Sequence, residues 1–123
     1  KSQQGREISE VTFVQELLRR DLADALKVDV LGDTLKITRN DSTVPWQDLL
    51  TMTASPASIP PITVSYSLVD RVLKRTSGTL EDPLIALDDF ESVIQDSDVR
   101  VRVELVTGQR RRSLIWNFWC PAL

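Results

Sequence analysis

Asp88, Asp89 and Glu91 lie close together in the chain, and Asp96 and Asp98 flank Ser97 a few positions on. Two carboxylates can divide general-acid and general-base work when their surroundings push their pKa values apart. Clusters of carboxylate oxygens can also hold Ca²⁺. An EF-hand loop is excluded, because the spacing supplies neither a Gly at the sixth position nor a Glu at the twelfth. The competing structural reading is a solvated turn beside a helix start that favours acids. No metal site is therefore expected, and Asp96 and Asp98 stand as the calcium candidates.

Other catalytic chemistry has fewer parts available. The chain contains no histidine, which removes the commonest general base and transition-metal ligand. A Ser/His/Asp arrangement is impossible, and Lys1, Lys27, Lys36 and Lys74 fall in no Ser-Lys motif. The four glycines, at positions 5, 32, 78 and 108, are isolated, so neither a phosphate loop nor a dinucleotide fingerprint can be built. Cys120 is the sole cysteine, which rules out an internal disulfide and a Cys-rich zinc site and leaves it to act as a small buried hydrophobe. The chain is expected to be no enzyme and to need no cofactor.

Two other groups of residues suit protein contacts. Arg110, Arg111 and Arg112 form a basic run, with Arg100 and Arg102 on the strand expected to face it. Such arginines can grip a partner's carboxylates or phosphate. Trp116, Phe118 and Trp119 follow, a combination that also suits single-stranded nucleic acid. In a strand, however, Leu114, Trp116 and Phe118 share one face and Ile115 and Trp119 the other, so most of them read as core. The net charge of −3 adds no footprint for nucleic acid, and none is expected as a partner. Phe13 and Leu17 are four residues apart and stack on one helix face. They project roughly 140° from the centre of the apolar stripe described next, which reads either as a second contact surface or as a wider core.

That stripe defines the element carrying Phe13 and Leu17. Ile8, Val11, Val14, Leu18, Leu22, Ala25 and Leu26 recur at three- and four-residue steps and cover an arc of about 120° on a helix. The spacing predicts a helix over about 3–27. Its start is weak, with Gly5 inside it and no capping box at Ser2. The chain begins at Lys1, and the two observations together read as the continuation of a preceding helix. Thr34 to Arg39 alternates as a strand after a turn at Gly32-Asp33. Residues 40–61, with Pro45, Pro56, Pro60 and Pro61, read as a loop with a helical turn near Trp46 to Met52.

Hairpins are expected over about 62–119. Ile62, Val64, Tyr66 and Leu68 alternate, and Asp70-Arg71 turns the chain into Val72 to Thr76. Asp82-Pro83 reads as the start of a connector, Phe90 to Ile94 as a strand, and Asp96 to Asp98 as a turn. Val99, Val101, Val103 and Leu105 alternate with Arg100, Arg102 and Glu104 before a turn at Thr107-Gly108-Gln109. With 123 residues, 41% of them hydrophobic and 27% charged, the chain has an ordinary globular composition and length for one domain, 1–123. No stretch reaches the ~20 apolar residues of a spanning helix. The expected fold is α+β, one long N-terminal helix packed on an antiparallel sheet.

Four stretches carry a resemblance to a known family. They are EVTFVQELLRRDLADAL with its Arg20-Asp21-Leu22 element, LKITR (Leu35 to Arg39), VSYSLVDRVLKR (Val64 to Arg75), and LDDFESV followed by VRVRVELVTGQRRRSLIW. Together they resemble the minor pseudopilins of type II secretion systems, especially the J-type subunit, and related minor pilins. The resemblance implies a pilin-like fold, an inner-membrane anchor ahead of Lys1, and a domain facing the periplasm. It implies a non-enzymatic subunit near the tip of a short filament, with other minor pseudopilins and the major pseudopilin as partners. Phe13 and Leu17 would then meet a neighbouring helix, and Arg100, Arg102 and Arg110 to Arg112 would supply polar contacts. Two alternatives remain: a minor pilin of a type IV pilus or DNA-uptake filament, and a cystatin-like domain binding a small ligand in a pocket with convergent polar groups.

Overall fold

The computed structural model describes residues 3–40, 61–107 and 109–123, with the side chains of 3–9 and 107 left aside. The helix α1 spans Gln3–Ala23. It buries Val14, Leu18 and Leu22, spaced four apart, while Val11 and Leu17 are partly covered at the edges of that stripe. The helix stops four residues short of the expected end. Ala25 already opens β1 (Ala25–Leu31), so Leu26, expected in the helical stripe, points outward from a strand.

A tight turn at Gly32, whose φ of +59° suits a residue without Cβ, reverses β1 into β2 (Thr34–Arg39). Two strands follow, β3 (Ile62–Val69) and β4 (Val72–Ser77), joined across Val69 and Val72. Both intervening residues have positive φ, 51° at Asp70 and 63° at Arg71. This is the backbone of a type I′ turn, built here without glycine. The loop expected over 40–61 lies outside the described residues except at its two ends.

Asp82-Pro83, expected to begin a connector, lies instead inside the edge strand β5 (Leu80–Ala86), where Pro83 needs no ladder donor on the open side. The chain then changes sheet within one step. The Leu87 N–H donates to the Arg71 carbonyl at 3.0 Å, and the Asp88 N–H to the Glu104 carbonyl at 2.8 Å. The acids near Asp88 therefore begin a strand, β6 (Asp89–Gln95), and cap no helix. It pairs with β7 (Asp98–Thr107), which pairs in turn with β8 (Arg110–Trp119), all antiparallel.

The expected α+β, pilin-like arrangement of one long helix on one antiparallel sheet is overturned. Among the described residues the protein is mostly β, with one helix and two antiparallel sheets ordered β1-β2-β3-β4-β5 and β6-β7-β8. The physical reason is the quantity of inward-facing apolar surface. Leu35, Ile37, Val64, Tyr66, Leu73 and Ile85 come from the larger sheet, and Phe90, Val99, Val101, Val103, Leu105 and Phe118 from the smaller one. The three apolar side chains that the described part of the helix buries fully cannot cover both faces. The two sheets share a single core, with β6 packed against β1 and β3 and the helix contributing one side of it. Cys120 closes this core, fully buried, with its Sγ 3.3 Å from the Leu22 carbonyl.

Candidate partner-binding surfaces

A buried charged centre holds the helix in register with the larger sheet. Asp21 lies on the core face of α1, three residues after Leu18, and is 1% exposed. Arg75 grips it with two hydrogen bonds of 2.9 Å, from Nε to Oδ2 and from Nη2 to Oδ1. Arg39 Nη1 donates to Oδ1 at 2.5 Å, and the Tyr66 hydroxyl donates to Oδ2. Arg39 also reaches the more exposed Asp24 with Nη2 at 2.7 Å. Four donors fill the carboxylate's acceptor sites, so nothing at this centre is left open to a substrate.

The titration of this centre follows from the contacts. Burial alone raises the pKa of Asp21, but the hydrogen bonds and charge of Arg75, with those of Tyr66 and Arg39, outweigh it and hold the carboxyl below its ordinary value. Burial pushes the Tyr66 phenol up, and the neighbouring Asp21 charge pushes it further. The bond to Asp21 likewise raises Arg75. An ionised carboxylate, a neutral phenol and two cations are therefore the resting state at neutral pH. No residue of this centre was singled out as a site from the sequence. A partial signal was present: Arg39 and Tyr66 continue the inward alternation of their strands, whereas Asp21 falls just outside the apolar stripe of the helix.

On the outer surface of α1, Phe13 is 57% exposed, while Leu17 is only half-exposed because it also leans on the core. The two line a shallow depression of about 100 Å³ with Glu16 and Arg20. Phe13 and Leu17 thus border one depression, and Leu17, expected to project away from the core, also leans on it. A second depression of about 210 Å³ runs between α1 and the smaller sheet, lined by Val11, Thr12, Gln15, Leu105, Arg112, Leu114 and Trp116.

The five arginines are not one patch. Strand alternation puts Arg100 and Arg102 on the outer face of the smaller sheet, where Arg111 joins them opposite Val106. Arg110 and Arg112 project to the other side, and Arg112 reaches the groove beside α1. Two of the five have acidic neighbours. Arg102 is bound by Glu91 at 2.8 Å and Asp89 at 3.0 Å, contacts that raise its pKa, chiefly through Glu91. Arg111 lies 3.7 Å from Glu104. Arg100, Arg110 and Arg112 have no acidic partner among the described residues.

The aromatic residues divide as the alternation requires. Trp116 and Phe118 face inward with ring centroids 6.2 Å apart, whereas Ile115 and Trp119 are 54% and 69% exposed on the outer face. Asp96 sits in the turn before β7 with φ of 54°, and Asp98 opens that strand; both are exposed. Among the described residues no three acidic, histidine or cysteine side chains converge on a metal-sized point, and no described helix is long and apolar enough to cross a membrane. Comparisons of the chain with protein-family models, curated proteins and solved structures found no match.

Proposed function

We propose that this chain is a non-enzymatic assembly subunit, the periplasmic part of a minor pseudopilin that packs beside other pseudopilins in a short secretion filament. The observation that supports this reading most is the exposed Phe13 on a helix whose opposite face is already buried. A large aromatic ring left in water next to the half-covered Leu17 gains by being covered, and an amphipathic helix surface is a common docking element. The sequence resemblance supplies the class of partner, the inner-membrane anchor ahead of α1 and the periplasmic setting. The two-sheet architecture departs from the pilin-like arrangement that the resemblance implies. The reading rests on the helix face and on the four stretches of sequence that carry the resemblance.

The test uses the full-length chain in its native cells with a photo-crosslinking amino acid at Phe13. Adducts to other pseudopilin subunits are expected from that position. None is expected from the same group at Thr38, on the polar outer side of the larger sheet. Adducts from Thr38 but not from Phe13, or no adducts from either, would refute the proposal. The Phe13→Ser variant should lower assembly while changing folding stability by no more than about 0.5 kcal/mol, as for other surface substitutions.

A further inference from the structure

Among the described residues, two open sheets leave four edge strands, β1, β5, β6 and β8. Every edge strand presents N–H and C=O groups that no sheet neighbour satisfies, and proteins blunt such edges with proline, bulges or covering elements. β5 carries Pro83 and the adjacent acids Glu81 and Asp82. β1 has a register shift between Ala25 and Lys27. β6 packs against β1 and β3. Among the described residues β8 has no such irregularity: α1 packs on one of its faces, as β1 and β3 do on β6, but no sheet neighbour lies along its free edge. The strand runs for ten residues without proline, pairs with β7 in unbroken register, and exposes Ser113, Ile115, Asn117 and Trp119. The helix packs on its Leu114 and Trp116 side.

Charge is distributed unevenly along this edge. At its start stand Arg110 and Arg112, which have no acidic partner among the described residues, with Arg111 between them held only at 3.7 Å by Glu104. At its end stand the exposed apolar side chains of Ile115 and Trp119. Three adjacent arginines disfavour pairing with a second basic strand and favour an acidic one. Single-stranded nucleic acid fits less well, because Trp116 and Phe118 are turned inward against each other and cannot stack on bases.

We propose that β8 is a docking edge for an extended acidic segment of a partner protein. The segment adds to the smaller sheet as a fourth strand, antiparallel to β8. Its acids lie at its C-terminal end, opposite Arg110 to Arg112, and its alternate apolar residues lie beside Ile115 and Trp119. Backbone hydrogen bonds supply the affinity, and the arginine end sets direction and register. This goes beyond the filament reading and does not depend on it, because the docking edge lies on a different element from Phe13.

The experiment titrates the chain with a capped ten-residue peptide, matched to β8 in length, that alternates Thr and Val and ends in Glu-Asp-Glu. Calorimetry measures binding, and amide hydrogen exchange locates it. The acidic peptide is expected to bind, to protect amides of residues 113–119, and to weaken as salt rises. A peptide ending in Lys-Arg-Lys should bind at least about tenfold more weakly, a loss worth one decade in affinity. A peptide N-methylated at alternate amides should lose binding to the same degree, because it cannot form the ladder. The R110A/R112A variant should lose the preference for acid over base. Equal binding of the methylated and unmethylated peptides would overturn strand addition, as would no preference for the acidic peptide. Tighter binding of an oligothymidylate than of any peptide would replace it with a nucleic-acid surface.

Discussion

Changing Asp21 to Asn keeps the volume of the side chain and removes the charge that Arg39 and Arg75 share. An amide offers one acceptor oxygen where the carboxylate offered two, and in either orientation its NH₂ faces a guanidinium donor: Arg75 Nε beside the Tyr66 hydroxyl, or Arg39 Nη1 with Arg75 Nη2. Arg39 keeps Asp24 as a partner, but that carboxylate is 57% exposed and compensates weakly. Arg75 retains no other acid among the described residues. Breaking a buried pair by removing one member costs about 3–5 kcal/mol. For a domain of this size each kcal/mol is about 4 °C in Tm, so a fall on the order of 12–20 °C is expected.

Urea unfolding followed by far-UV circular dichroism, with thermal melts beside it, measures the loss. Asp24→Asn, which breaks only the exposed arm, should cost no more than about 1 kcal/mol and serves as the control. Replacing the whole centre by apolar residues of similar size, D21L/R39M/Y66F/R75M, should recover most of the stability lost in D21N. The penalty comes from uncompensated charge and not from the absence of the ion pairs. A loss below about 1 kcal/mol in D21N would refute the reasoning, because it would mean that water or a rearranged Asp24 already neutralises the arginines.

Further predictions concern the same centre and one turn. Asp21 has a lowered folded-state pKa, so between that value and the unfolded value of about 3.9 the unfolded chain binds the extra proton. Its contribution to stability is therefore complete above about pH 4 and falls as pH drops through the lowered pKa. A urea series against pH should show this acid limb in the native chain and a shallower one in D21N. Tyr66 is raised, so its contribution is complete below the unfolded value of about 10 and declines as pH rises beyond it. An alkaline limb that disappears in Y66F is expected. The type I′ turn places Asp70 and Arg71 at positive φ, and substituting Asn-Gly there should stabilise the chain by about 1 kcal/mol, net of the exposed Arg71–Asp88 ion pair. Unchanged or lower stability in denaturant would show that the turn carries no such strain.

Local pattern carried far into this molecule. Strict alternation in Val99 to Leu105 placed β7 and assigned its buried face, and the same rule separated Leu114, Trp116 and Phe118 from Ile115 and Trp119. Asp70-Arg71 was legible as a two-residue turn because two alternating runs met across it. Pattern failed where a partner outside the window decided the outcome. Ala25 and Leu26 continue a helical stripe on paper, yet pairing of β1 with β2 draws them into a strand. Pro83 reads as a break, but at a sheet edge its missing N–H costs nothing.

Which side of each strand and helix turns inward is a matter of residue type and period, and those belong to the chain alone. Which hairpins join is not, because Leu87 and Asp88 commit to different sheets through bonds to Arg71 and Glu104, far away in sequence. The charged centre shows the same division. Arg39 and Tyr66 could be recognised at inward positions of their strands, whereas Asp21, outside the helical stripe, and Arg75, after the adjacent Val72 and Leu73, could not. Only the fold, which brings Asp21 of α1 to side chains of β2, β3 and β4, turned four separate desolvation penalties into one satisfied cluster. A buried charge is tolerable only next to its counter-charge, and proximity is a property of the fold.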